Sequence, residues 1–353
     1  MKSYRIAALP GDGIGREVVA EGMRVVAAAA RRMGFLCAFE EMPWGSQHYF
    51  DHGRMMPDDA LTRLHGFDAI YLGAVGHPRV PDNVTLNGLL LPIRRTFEQY
   101  ANVRPTVLFP GVATPLAETR KAIDIVLVRE NTEGEYAQVG GNVHGGTETE
   151  VAVQTAVFTR RGTERIIRFA FELARTQKRR SVTSITKSNA QGHSMTFWDR
   201  IYREVAAEFP EIETSSILVD AAAMELIRRP WSFEVIVASN LFGDILSEIT
   251  ATVTGGLGLA PSANLDPTRR HPSMFEPVHG SAPDIAGRGV ANPVGAILSA
   301  AMMLSWLGES AASEAIQAAV RQVLAGGLRT RDIGGEASTA EMGEAVARAV
   351  EAR

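Results

Sequence analysis

Apolar runs of strand length alternate with longer helical patterns along most of the chain, and this alternation restricts the fold more than any other feature of the sequence. YRIAALP is followed by a helical pattern from Arg16 to Met33, a strand near Cys37 to Glu41, and FDAIYLGAV from Phe67. DIVLV from Asp124, SVTSIT from Ser181, SSILVD from Ser215 and FEVIVAS from Phe233 repeat the scheme, each leading into a turn or helix. Such an order predicts an α/β fold with parallel strands and crossover helices. Several runs end on polar residues, which predicts a site at the carboxyl ends of the strands. At 353 residues the chain exceeds one ordinary core, so two domains are expected.

Two stretches depart from the alternation. GEYAQVGGNVHGG, from Gly134 to Gly146, gives way to alternating ETEVAVQTAVFT, which reads as a loop and a hairpin arm whose open edges need a partner. From Gly255 to Pro293 glycine and proline are frequent, and loops are expected to dominate. Lys and Arg total 36 against 40 Asp and Glu, a net charge of -4, so there is no positive field for nucleic acid. The most apolar stretches, such as Ala296 to Leu307, are far shorter than the roughly 20 residues of a membrane span. A lone cysteine, Cys37, forms no intrachain disulfide, and MKSYRIAALPGDGIG turns directly into a strand and Gly-rich turn. No signal peptide and a cytoplasmic location are expected.

Several residue sets carry chemistry, each beside a plainer reading. PGDGIG, Pro10 to Gly15, has glycines at spacings unlike a dinucleotide fingerprint; it reads as a tight strand-to-helix turn near a cofactor. Arg94, Arg104 and Arg129 lie in RRTFEQYANVRP and LVREN and form either a carboxylate clamp or solvated charge. Asp244 and Glu248 share one helix edge in SNLFGDILSEI, beside a predicted apolar stripe of Leu241, Phe242, Ile245 and Ile249. Their repulsion would be reversed by a divalent cation, and Asp220, read as ending the strand SSILVD, would complete an oxygen-rich site suited to Mg2+ or Mn2+. Lys187, in TKSN just after a strand, and Tyr136, in the Gly-rich loop, form a candidate base and acid, against a surface salt bridge and a packing tyrosine. In HGSAPDIAG, His279 to Gly287, small residues allow close backbone approach, and Asp284 can accept hydrogen bonds from both hydroxyls of an adenosine ribose. An acidic group there disfavours a 2′-phosphate, which points to NAD.

The ordered set PGDGIG, RRTFEQYANVRP, VRENTEGEY, TKSN, SNLFGDILS, APSANLDP and FEPVHGSAPDIAG resembles the β-decarboxylating dehydrogenases, the isopropylmalate, isocitrate, homoisocitrate and tartrate/(R)-malate enzymes. RENTEGEY, VFTRRG, GRMMPDD and APSANLDP resemble the tartrate and (R)-malate branch. The resemblance implies an isocitrate/isopropylmalate dehydrogenase-like fold rather than a Rossmann domain, with a large cofactor-binding domain from residues 1–101 and 255–353 and a central domain from 102–254. It implies a homodimer with shared active sites, in which Lys187 and Asp220 reach the site from the neighbouring subunit. Arg94, Arg104, Arg129 and the apolar Leu90 would meet the substrate, Tyr136 and Lys187 would transfer protons, and Asp220, Asp244 and Glu248 would surround the metal. His279, Gly280, Ser281, Ala282, Asp284, Ile285 and Asn292 match the adenosine-binding loop.

The expected activity is NAD-dependent oxidative decarboxylation of a small 2-hydroxy dicarboxylic acid, (R)-malate or tartrate. 3-Isopropylmalate is the alternative, because Leu89, Leu90 and Leu91 offer an apolar surface. A non-catalytic regulatory subunit is the third reading, opposed by intact Tyr136, Lys187, Asp220 and Asp244. Two positions depart from the family pattern: Glu248 stands where Asp is usual, and Asn87 replaces the Trp of tartrate-type enzymes or the Glu of isopropylmalate enzymes.

Overall fold

The structure, a computed structural model, describes residues 1–119 and 121–352. Ser3–Gly11 (β1), Gly15–Met33 (α1), Leu36–Glu41 (β2), the short helices Ser46–His52 (α2) and Ala60–Leu64 (α3), and Ala69–Ala74 (β3) come first. Asp82–Thr85 (α4) and Leu91–Thr96 (α5) flank a π-helical turn over Leu86–Leu90, and Ala101–Val107 (β4) follows. Next are Asp124–Glu130 (β5), Gly140–Val143 (β6), Val151–Gln154 (β7), Arg160–Thr176 (α6), Ser181–Thr186 (β8) and Ser194–Ala206 (α7). Glu213–Leu218 (β9), Val219–Arg228 (α8), Val235–Ala238 (β10) and Asn240–Val253 (α9) continue the alternation. Pro261–Leu265 (β11), Ser273–Pro277 (β12), Val294–Trp306 (α10), Ser310–Ala325 (α11) and Thr339–Glu351 (α12) complete it.

The chain divides into two compact units: Met1–Gln99, Arg104–Ile123 and Ala251–Arg353 form one, and Tyr100–Val103 and Asp124–Thr250 the other. The segment Arg104–Ile123, expected in the central domain, therefore groups with the larger unit.

In the larger unit β1 pairs in parallel with β2 and β3, β12 runs parallel to β3, and β11 runs antiparallel to β12. Every residue of β3 is buried, as expected of a strand covered on both faces. Helix α10 is buried continuously from Val294 to Ala301, whereas α1 presents a stripe of Val18, Val19, Val25, Val26 and Ala29 and leaves its other face wet. Loops dominate Gly255 to Pro293 as expected, but the antiparallel β11 and β12, both fully buried, run within that segment. Glycine and proline punctuate that segment at its turns, while burial on both faces makes strands of the residues between. Leu89 also differs from expectation: it is fully buried in a core with Trp44, Leu64, Leu72 and Phe97, and Leu90 packs against that core part-buried. The anticipated apolar wall of three leucines thus loses its first member, Leu89, to the interior.

In the smaller unit β5, β10, β8 and β9 lie side by side, all parallel. Thr159 caps α6 by accepting from the Gly162 amide. β6 and β7 pair antiparallel, from Gly140 with Gln154 to Val143 with Val151, as the hairpin reading expects. Val139, Val143, Val151 and Val153 are each about half exposed there. On α9 the inward face is Phe242, Gly243, Leu246, Ser247 and Thr250, and Ile245 is exposed; the predicted stripe was one position out of phase at that point. Among the described residues no helix is long and apolar enough to cross a membrane.

Candidate active site

The smaller unit gathers its chemistry at the carboxyl ends of its parallel strands, where side chains and helix N-termini face the same way. Arg129 is the penultimate residue of β5 and pairs in register with Ala238, the last of β10. Lys187 directly follows β8. Asp220 does not end β9 as expected; the strand stops at Leu218, and Asp220 sits in the first turn of α8. An acidic side chain is favourable there, beside amides that lack intrahelical acceptors. Helix α9 opens two residues beyond β10 and carries Asn240, Asp244 and Glu248 along it.

Arg129, Tyr136 and Asp244 come together. Arg129 is buried, and Asn240 Oδ1 accepts from its Nε at 2.9 Å and its Nη2 at 2.7 Å. Its Nη1 donates to Asp244 Oδ1. The Tyr136 hydroxyl donates to Asp244 Oδ2 at 2.9 Å, and the Arg129 guanidinium lies 5.4 Å from the Tyr136 ring centre. Gly243 is a packing requirement, because a Cβ there would stand 2.7 Å from the Arg129 Cβ. Burial, then the Asp244 charge, pushes the Tyr136 phenol up to about 12, so it stays protonated and able to donate at neutral pH.

Lys187 and Asp220 form a second pair, Nζ to Oδ1 at 2.6 Å. That hydrogen bond holds the exposed Asp220 carboxyl below its ordinary range, leaving it anionic. Among the described residues no three His, Cys, Asp or Glu side chains form a metal-holding group, so one chain does not bring Asp220 to Asp244 and Glu248. Asp244 is partly exposed and Glu248 exposed, one turn apart on α9.

In the larger unit, Arg94 is buried in α5 with Nη2 bonded to Glu276 Oε1 at 2.7 Å, and Asn264 Nδ2 donates to the same oxygen at 2.8 Å. Its Nε is buried without a partner, a donor that a bound carboxylate would satisfy. Arg104 is buried on β4. Asn87 is exposed and donates to the Asn83 carbonyl at 2.8 Å.

Part of the predicted adenosine loop lines a cavity of ≈ 450 Å³ with Ile14, Gly258, Arg288, Val290, Arg331 and Asp332; its members from the loop are His279, Ile285 and Asn292. His279 Nδ1 lies 3.0 Å from the Gly280 carbonyl, burial lowers the pKa of the ring, and Nε2 is buried with no partner. A neutral ring donating through Nδ1 leaves Nε2 as an unused acceptor, which fits a ligand carrying an amine or hydroxyl. Asn292 is occupied structurally, donating to Asp332 at 3.0 Å and accepting from Val294 N at 3.0 Å. Asp284 is exposed and is not among the residues lining this cavity; Gly280, Ser281 and Ala282 form the loop backbone beside it. The PGDGIG turn braces that loop: Ile14 N donates to the Ser281 carbonyl at 2.9 Å, and a Cβ on Gly13 would stand 2.0 Å from that oxygen. Glu17 accepts from Gly287 N at 2.5 Å and Gly289 N at 3.0 Å. Glu17, Asn240 and Glu276 carry no separate signal in the sequence, although Asn240 lies within SNLFGDILS and Glu276 within FEPVHGSAPDIAG.

The isocitrate/isopropylmalate dehydrogenase family model matches residues 5–346. The chain belongs to that family. It is 51% identical over 358 residues to the D-malate dehydrogenase [decarboxylating] of Escherichia coli K12, covering 99% of each chain. It is 52% identical over 345 residues to a probable tartrate dehydrogenase/decarboxylase of Bacillus subtilis 168, covering 97% of this chain and 96% of the relative. Among solved structures, isocitrate dehydrogenase from Methylococcus capsulatus superposes with a TM-score of 0.90 at 36% identity, covering 99% of both chains. The isocitrate dehydrogenase-like fold expected from the motifs is the fold of this family member.

Proposed function

We propose that this family member is an NAD-linked, divalent-metal-dependent dehydrogenase that oxidises (R)-malate or tartrate at C2 and releases the β-carboxylate as carbon dioxide. The observation that carries the reading is the Arg129, Tyr136 and Asp244 cluster, in a chain about half identical to relatives named for these two reactions. Buried cationic side chains, Arg94, Arg104 and Arg129, suit a substrate with two carboxylates. Asp244, Glu248 and, from a second copy, Asp220 would hold Mg2+ or Mn2+, since all three offer hard carboxylate oxygens. His279, Ile285 and Asn292 would hold the adenosine end of NAD. When bound, NAD takes up hydride and the divalent ion polarises the oxygen on C2.

The protein's own groups move protons and fix geometry. Lys187 takes the proton of the C2 hydroxyl as the C2 hydrogen leaves with its electron pair, giving a 2-keto acid. The bond from C3 to the β-carboxylate then breaks, carbon dioxide departs, and its bonding electrons pass into an enolate. Tyr136, kept protonated by burial and by Asp244, returns a proton to C3.

A second copy of the chain is the proposed partner. Met224 and Ile227 on α8, Ile245 on α9 and the valines of the hairpin are exposed apolar groups in the smaller unit, the kind of surface a homodimer covers. Such a copy would also supply Lys187 and Asp220. The chain's one cysteine, Cys37, is driven by burial toward the protonated thiol, up to about 12, and the proposed location is the cytoplasm.

The substrate is tested by a panel of (R)-malate, tartrate, 3-isopropylmalate and isocitrate, assayed by NADH formation with Mn2+. The expected result is a higher kcat/KM for (R)-malate than for 3-isopropylmalate, with Asn87→Trp leaving (R)-malate turnover intact. A strong preference for 3-isopropylmalate would replace the substrate assignment.

A further inference from the structure

The turn from Glu130 to Tyr136 is held by its glutamates at different places. Glu130 accepts from the Thr132 and Glu133 amides at 3.0 and 2.8 Å and closes the turn on itself. Glu133 accepts from Thr159 N at 2.9 Å and Thr159 Oγ1 at 2.7 Å, fastening the turn to the start of α6. Glu135 reaches the helix that bears Asp244: its Oε1 accepts from Ser239 Oγ at 2.8 Å and its Oε2 from Leu241 N at 3.1 Å.

We propose that Glu135 is a positioning residue, tying the turn that carries Tyr136 to the N-terminus of α9 so that the phenol and Asp244 meet. This rests on the role given to Tyr136 above. Leu241 N belongs to the first turn of α9, where amides have no intrahelical acceptor, so an external carboxylate is both a partner and a favourable charge. Asp244 lies less than one turn further along. Tyr136 is the next residue after Glu135, so both ends of the 2.9 Å contact between Tyr136 and Asp244 are referred to one carboxylate. Asn240 adds a weaker version of the same link, donating to the Glu133 carbonyl at 3.0 Å. Without the Glu135 bonds the Tyr136 turn keeps its attachment to α6 and loses its main register with α9.

The test compares Glu135→Ala, Glu135→Gln, Ser239→Ala and Tyr136→Phe in the full-length enzyme. Glutamine can accept from Leu241 N and donate to the Ser239 oxygen, so it keeps both links, and alanine keeps neither. Glu135→Ala should lower kcat by about 10- to 100-fold with KM within about 3-fold, because misplacing a reacting group by about 1 Å costs rate at that scale. Glu135→Gln should restore kcat to within about 3-fold of the parent, and Ser239→Ala, which removes one bond, should fall between. Amide exchange at Leu241, followed without substrate, should quicken in Glu135→Ala and stay slow in Glu135→Gln. Parental kcat and unchanged Leu241 exchange in Glu135→Ala would overturn the proposal, as would an equal loss of kcat in both Glu135 variants. If Glu135→Ala does not fold, the graded loss in Ser239→Ala decides. Undiminished turnover in Tyr136→Phe would instead remove the role of Tyr136, while the exchange measurement still reads the link made by Glu135.

Discussion

Tyr136 donates its phenolic hydrogen to Oδ2 of Asp244 across 2.9 Å, while the other oxygen of that carboxylate receives Arg129. One side chain thereby links the proposed proton donor, a buried guanidinium and the proposed metal site. Glu248 stands on the same helix a turn later, so Asp244 is the carboxylate through which these functions are coupled.

Asp244→Asn is accordingly expected to lower kcat/KM by at least about 10²-fold and to abolish its dependence on Mn2+, since a neutral amide is a poor ligand for a hard cation. Rates measured with and without chelator decide this. Turnover that survives both the substitution and chelation would end the metal assignment.

The proposed sharing of each site between two subunits leads to a mixing experiment. If each site takes Tyr136 from one subunit and Lys187 from the other, a heterodimer of Tyr136→Phe and Lys187→Ala subunits contains one site with both residues intact. Reassembling the two inactive variants together should recover about a quarter of parental activity, the fraction set by random pairing in a symmetric dimer. No recovery, in samples shown to contain heterodimer, would place the complete site within one subunit.

The proposed cofactor loop is held by Glu17, whose carboxylate accepts from the Gly287 and Gly289 amides. Glu17→Ala should raise KM for NAD by about 10-fold, the effect of losing charge-assisted hydrogen bonds worth about 1.5 kcal/mol, with kcat little changed. His279→Ala should act in the same direction. Both are checked by varying NAD at saturating substrate, and NAD should be used more efficiently than NADP by the parent enzyme. Equal use of the two cofactors would remove the role assigned to Asp284, which the structure leaves exposed beside a cavity lined by Arg288 and Arg331.

Burial lifts the Glu130 carboxyl from 4.5 to about 7, overcoming the hydrogen bonds from Thr132 and Glu133 that favour its charged form. The folded state binds this proton more tightly than the unfolded chain. The stabilisation is therefore fully present below pH 4.5 and is lost as pH rises through about 7. At about 1.4 kcal/mol for each pH unit, the swing is on the order of 3 kcal/mol. Denaturant unfolding of the parent and of Glu130→Gln should show the parent losing about that much relative to the variant between pH 4.5 and 8. Parallel pH profiles for the two proteins would mean that Glu130 titrates normally.

Much of the fold and the identity of the chemical groups were legible in the sequence, because both are written locally. β5, β8 and β10 are short β-branched runs, α1 has a helical stripe, and Lys187 and Arg129 follow or end strands whose direction the alternation already implied. The motifs in order named the family, and with it the roles proposed for Tyr136, Asp244 and the adenosine loop. What the sequence did not show is which groups hold these residues in place. Asn240 grips Arg129 from 111 positions away, Glu276 meets Arg94 across 182, and Glu17 reaches Gly287 across 270. No periodicity or turn signal encodes contacts at such separations. The strands β11 and β12 were hidden for a related reason: glycine and proline at their ends read as loop, and only burial on both faces makes the stretch between them a sheet. Leu89 illustrates the same limit, being one of three adjacent leucines of which the interior takes one, a choice made by the packing of Trp44, Leu64 and Phe97 around it. Sequence by itself determined most of the element types and the chemistry available, since propensity and motif spacing are local properties. Tertiary structure alone decided which side chains are buried together, and hence which carboxylate faces the phenol, because that depends on where distant segments are brought by the fold.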